Sequence, residues 1–106
     1  MSIPRPDLKR RPIHPGETLL HDVIKPLGLT QTEFAARLGI SYPRLNEIIH
    51  GKRGITPDTA LRLSALLGTS PEFWLSLQQA VDLWDAQSSR GTAQALRKIE
   101  PVKQTA

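Results

Sequence analysis

Residues 31–50 read Gln-Thr-Glu-Phe-Ala-Ala-Arg-Leu-Gly-Ile-Ser-Tyr-Pro-Arg-Leu-Asn-Glu-Ile-Ile-His, and their pattern predicts two short helices, 31–38 and 42–50, joined by a tight glycine turn. Phe34 and Leu38, four residues apart, share one face of the first helix; Leu45 and Ile48, three apart, share one face of the second. Ala35 is small at the point where two such helices must cross closely. Gly39 supplies the positive φ at which a helix stops, Ile40 plugs the turn, and Ser41 offers an N-cap to the second helix. With every apolar position assigned inward, Tyr42, Pro43, Arg44, Asn46 and Glu47 are left facing out. These residues specify a helix-turn-helix.

Upstream, Pro15 and Glu17 fit the first turn of a helix with Leu20, Val23, Ile24 and Leu27 on its apolar face, ending near Lys25 ahead of Pro26 and Gly28. Thr30 with Glu33 three residues on is a capping box for the helix over 31–38. Downstream, Gly51-Lys52-Arg53-Gly54 is a basic loop, and Thr56-Pro57 and Ser70-Pro71 each start a further helix. The fourth ends at Gly68, with Ala60, Leu63, Ser64 and Leu67 inside and Leu61 and Leu66 widening that face; the fifth runs to about Asp85. Ser88, Ser89, Gly91 and Thr92 read as a linker, and the only strand signal is a weak one over 98–102. The expectation is an all-α, five-helix helix-turn-helix domain over 15–87, a basic proline-rich arm over 1–14 and a basic tail over 88–106.

The chain of 106 residues is 39% hydrophobic, enough for one small core and too little for two. It has no cysteine, which excludes disulfides, thiolate metal sites and a cysteine nucleophile. No apolar run approaches a membrane span and the N-terminal residues lack the apolar core of a signal peptide, so a cytoplasmic protein without membrane association is expected. The net charge of +4 is unevenly spread: each tail carries +3 and the segment 15–87 carries −2. Within that segment Arg37, Arg44, Lys52 and Arg53 lie in a stretch of 17 residues, 37–53, opposed only by Glu47, while Glu72, Asp82 and Asp85 lie on the last helix. The domain is polarised, with its positive end at the helix-turn-helix.

That end carries the chemistry of nucleic-acid recognition. Arg44 stands at the third position after the Ser41 cap, where a carboxylate would suit the helix dipole, and a cation there costs about 0.3–1 kcal/mol. A guanidinium at the leading turn of a helix in the major groove suits guanine O6 and N7, and the Asn46 amide suits adenine. Tyr42 and Pro43 offer a stiff apolar surface to a thymine methyl, Gln31 and Ser41 stand at helix starts for phosphate contact, and Lys52 and Arg53 add phosphate charge pairs. The plainer alternative for a lone Arg or Asn is solvated surface. On the fifth helix Phe73, Trp74, Leu77, Val81 and Trp84 form an apolar stripe that either completes the core or serves partly as a homodimer interface. Enzyme chemistry has little to stand on: Glu17 and His21, with His14 and His50, lack a metal-ligand pattern, and the Gly51–Gly54 loop is no phosphate cradle. No catalytic residue, metal site or cofactor is expected.

The segment 31–50 resembles the Cro/C1-type (XRE, lambda repressor-like) repressors, and the string from Pro12 to Gln79 resembles the HigA, or VapI-type, antitoxins. The matching motifs are Arg11-Pro-Ile-His-Pro-Gly-Glu17, Leu27-Gly-Leu-Thr-Gln31, Ile49-His-Gly-Lys-Arg53, Thr56 to Leu63 and Thr69-Ser-Pro-Glu-Phe-Trp-Leu-Ser-Leu-Gln78, together about two thirds of the chain. The first and last are the specific ones. The resemblance implies a homodimeric antitoxin of a type II toxin-antitoxin system that binds double-stranded DNA at a palindromic operator in its own promoter and neutralises a HigB-type mRNA endonuclease toxin. It places Gln31, Ser41, Tyr42, Arg44 and Asn46 at the DNA face. A stand-alone Cro/C1-type transcription regulator without a toxin, and a protein-binding module on the same fold, are the alternatives.

Overall fold

A computed structural model of the chain describes residues 10–103; the remainder of the expected arm, residues 1–9, and the last three residues of the expected tail lie outside the described part. The described residues form six helices: α1 over 15–27, α2 Gln31–Leu38, α3 Tyr42–Ile49, α4 Pro57–Leu67, α5 Pro71–Ser88 and α6 Arg90–Arg97. The expectation of five helices is therefore corrected to six. The serines read as a linker are a helix boundary: Ser88 is the last residue of α5, and Ser89 is at once its C-cap and the extended N-cap of α6. Good helix formers, Ala93-Gln94-Ala95-Leu96-Arg97, follow, and Thr92 and Ala93 are half-buried close to the junction with α5. The propensity of these helix formers offsets the local cost of Gly91 inside a helix.

α1 departs from regular helix in its middle. Leu19–Ile24 is π-helical, with Lys25 donating its N–H to the Leu20 carbonyl five residues back. Pro26 supplies no N–H and its ring excludes the carbonyl four residues earlier, so the widened turn carries the helix past the proline to Leu27 before Gly28 stops it. The consequence for packing is direct. Leu19 and Ile24, five apart, are the buried pair, whereas Leu27, expected inside on a 3.6-residue period, is 56% exposed.

The N-terminus of α1 rests against the C-terminus of α3. Gly16 is buried there, and a Cβ on it would lie 1.9 Å from the Ile48 carbonyl oxygen and 2.9 Å from the Ile49 Cα. The core fills the space between these helices with Leu19, Ile24, Phe34, Ala35, Leu38, Leu45, Ile48, Ile49, Ile55, Ala60, Leu63 and Trp74. On α4 the buried residues are Thr59, Ala60 and Leu63, while Leu61 and Leu66, expected to widen the inner face, are exposed.

His14 caps α1: its Nδ1 accepts the Gly16 N–H at 2.9 Å, so the neutral ring carries its proton on Nε2. Burial, and next the Arg11 charge, hold its pKa below the ordinary histidine range against the opposing pull of Asp82, Glu17 and Asp85. The unfolded chain therefore protonates at higher pH than the folded one. The His14 contribution to stability is complete above about pH 6.5 and is lost as the pH falls toward and through the depressed folded value. Thermal midpoints measured at about pH 7.5 and 5.5 should fall more steeply for the native protein than for His14→Asn, which keeps a capping acceptor but does not titrate. Equal slopes would remove His14 as the source.

Candidate nucleic-acid interface

The two helices of the reading head begin and end as their local chemistry dictates. Thr30 Oγ1 accepts the Glu33 N–H at 3.1 Å and stands 3.0 Å from the Glu33 carboxylate, to which the hydroxyl donates. Ser41 Oγ accepts the Arg44 N–H at 3.2 Å, and Gly39, at φ 75°, turns the chain between the helices. Arg62 of α4 then closes this turn by donating from Nη1 to the Leu38 and Gly39 carbonyls at 3.2 and 3.1 Å. Those carbonyls belong to the end of α2, where a cation also suits the helix dipole.

On the outer face Tyr42 and Pro43 are exposed, as expected of residues free to meet a groove. Asn46 is half-buried. Its Nδ2 donates to Gln31 Oε1 at 3.2 Å and, more loosely, to Tyr42 Oη at 3.5 Å, so Gln31, Asn46 and Tyr42 form one polar row across the two helices. A two-pronged contact with adenine requires Nδ2 to give up the longer of these bonds. Lys52 is exposed and has no ion pair among the described residues; Arg53 is exposed and pairs with Glu47 at 3.2 Å. Ser41 is exposed, with its hydroxyl proton uncommitted to the cap it makes.

Arg44 differs from its sequence reading. Its side chain retains 28% exposure, and Nη2 donates to Asp58 Oδ2 at 3.0 Å and to Thr59 Oγ1 at 2.8 Å. The cation that looked misplaced at the start of α3 is answered by a carboxylate at the start of α4. Asp58 is held below the usual carboxylate range, first by the hydrogen bond from Arg44 and next by that from Arg62. Neither Asp58 nor Thr59 had been singled out. The Asp58–Arg62 pair, four residues apart on one helix, was visible as a surface pairing signal; the bond to Arg44 fourteen residues away was not.

The apolar stripe of the fifth helix divides. Trp74 and Val81, grouped by spacing with an interface, are each 1% exposed and have no surface to offer a second copy. Trp74 also satisfies its indole N–H by donating to Thr69 Oγ1 at 2.8 Å. Leu77 and Trp84 are half-buried and Phe73 is exposed, its ring edge-on to Trp74. Leu83 on α5, Leu96 on α6 and Ile99 after it, which the sequence reading passed over, are exposed. At the base of the reading head Gln78 of α5 accepts the Ile55 N–H at 2.8 Å and so ties the basic loop down. Arg11, in the expected arm, is anchored by two bonds to Asp85 at 2.8 and 2.9 Å. Among the described residues no group of three or more His, Asp or Glu is placed to hold a metal, and no helix is long and apolar enough to cross a membrane.

A tight two-helix unit carried on a small helical core, with polar side chains along the outer helix and a basic loop behind it, defines a helix-turn-helix protein. The helix-turn-helix family profile matches residues 20–74. Virulence-associated protein I of Dichelobacter nodosus is 41% identical over 102 residues, covering 96% of this chain and 92% of that one. Antitoxin HigA-1 of Vibrio cholerae is 40% identical over 80 residues, covering 76% and 75%. Antitoxin GraA, solved in complex with its operator, superimposes with a TM-score of 0.81 at 37% identity, covering 94% of this chain and all of that one. The chain belongs to the family of HigA-, VapI- and GraA-type antitoxin regulators, within the XRE or Cro/C1 class.

Proposed function

We propose that this protein is a cytoplasmic type II antitoxin that binds an operator in its own promoter as a dimer, represses its own operon and neutralises a HigB-type mRNA endonuclease. The observation that carries the DNA-binding part is the outer face of α3 with its basic loop, on a chain that shares its fold and 37% of its residues with an antitoxin solved on its operator. Tyr42, Pro43, Arg44 and Asn46 read bases, while Gln31, Ser41, Lys52 and Arg53 bind phosphates. A second copy covers the outer apolar face of α5, along which Phe73, Leu77 and Trp84 remain partly accessible. This protects the patch and sets two reading heads on paired half-sites.

If each protomer places Lys52 and Arg53 on phosphates, a dimer neutralises about four, and operator affinity falls about 10²-fold between about 50 and 200 mM salt. A gel-shift titration on the upstream DNA checks this; a salt-independent shift, or none, would return the fold to a protein-binding role. The antitoxin part is read by coexpression with the neighbouring small reading frame. Copurification and rescued growth are expected, and neither would occur for a stand-alone regulator.

A further inference from the structure

Arg44 ties α3 to α4. Nη2 is committed to Asp58 Oδ2 and Thr59 Oγ1, whereas Nε and Nη1 make no hydrogen bond among the described residues. Thr59 is buried in the core and its hydroxyl stands 3.2 Å from that of Thr56, so one anchor is rigid. The other anchor is fixed as well: the same Oδ2 of Asp58 accepts Arg62 Nε at 2.9 Å, and Arg62 is itself held by the carbonyls of the helix-turn-helix turn. A guanidinium is planar, so holding one terminal nitrogen restricts where the remaining donors can lie.

We propose that Asp58, with Thr59, is a positioning residue for specificity: by occupying Nη2, the nitrogen that both forks of a guanidinium share, it holds Arg44 so that Nη1 is presented to a single acceptor such as guanine O6 or N7, without touching DNA itself. This rests on the DNA-reading function proposed above. A long arginine that is already ordered loses less freedom on binding, and one that is aimed discriminates between base edges better than one that sweeps the groove. Charge alone makes the opposite forecast. Removing a carboxylate from this face leaves it more positive and tightens binding to any DNA without preference.

The test compares affinities for a duplex of the protein's own upstream region and for an unrelated duplex of equal length, in native protein, Asp58→Ala, Arg44→Ala and the double variant. Asp58→Ala should lower the ratio of specific to unspecific affinity about 10-fold while unspecific binding stays level or rises. In the Arg44→Ala background the same substitution should leave the ratio unchanged, because Asp58 acts through Arg44. A ratio preserved in Asp58→Ala, or an equal fall with and without Arg44, overturns the proposal. Thermal melting checks folding, and Asp58→Asn, which removes the charge at nearly constant shape, replaces the alanine variant if that fails to fold. Native protein that shows no preference for its own upstream duplex overturns instead the DNA-reading function on which the proposal stands.

Discussion

Gly16→Ala should destabilise the protein by about 3 kcal/mol, toward the upper end of what overpacking costs in cores. The added Cβ meets the Ile48 carbonyl oxygen at 1.9 Å, and its next neighbours, the Ile48 carbonyl carbon and Ile49 Cα, are backbone too. No rotamer change relieves a clash with backbone, so α1 and α3 must separate. For a domain of this size that loss corresponds to a fall in melting temperature of roughly 12–24 °C. Chemical denaturation of the two proteins measures it, and a loss below about 1 kcal/mol would show that the α1–α3 contact yields easily. The substitution also bears on function. Gly16 seats α1 against the far end of the helix that carries the reading head, so operator binding should weaken together with stability.

Trp74→Ala should cost about 3–5 kcal/mol, the range for truncating a buried large aromatic. The indole is 1% exposed, packs within the main core and donates its N–H to Thr69. Its sequence neighbour Phe73 is 45% exposed, and its truncation should cost less than about 1 kcal/mol in the isolated protomer. Denaturant midpoints at several protein concentrations separate core from interface. The Trp74→Ala loss should not depend on concentration, whereas Trp84→Glu, at the accessible end of α5, should leave the protomer folded and lower the dimer fraction in light scattering. A concentration-dependent Trp74→Ala loss would move that residue from the core to an interface.

The helices around the turn were legible because their signals are local. A capping hydroxyl at Thr30, Ser41, Thr56 or Ser70 bonds an N–H three residues ahead, so residue type and spacing suffice to place each start. The π-helical stretch of α1 was not legible, since it changes the period on which the inner face is counted. Nor was α6. Its serine-rich start reads equally as a linker or as a boundary between two helices, and the single extended residue Ser89 between two helical runs makes it a boundary. Trp74 and Phe73 are adjacent and both aromatic; which one turns inward depends on the rotation of α5 against the core, not on composition.

The candidate site shows the same division. The sequence by itself determined a helix-turn-helix with Tyr42, Pro43, Arg44 and Asn46 along its second helix and a basic loop behind it, because each of these features is set by neighbours within about one helical turn. Only the tertiary structure decided that Arg44 is held by Asp58 and Thr59, that Arg11 is anchored to Asp85, and that Gly16 must lack a side chain beneath Ile48. Those pairings join residues fourteen to seventy-four positions apart. Charge complementarity allows many such partners, and the packing of one helix on another selects among them.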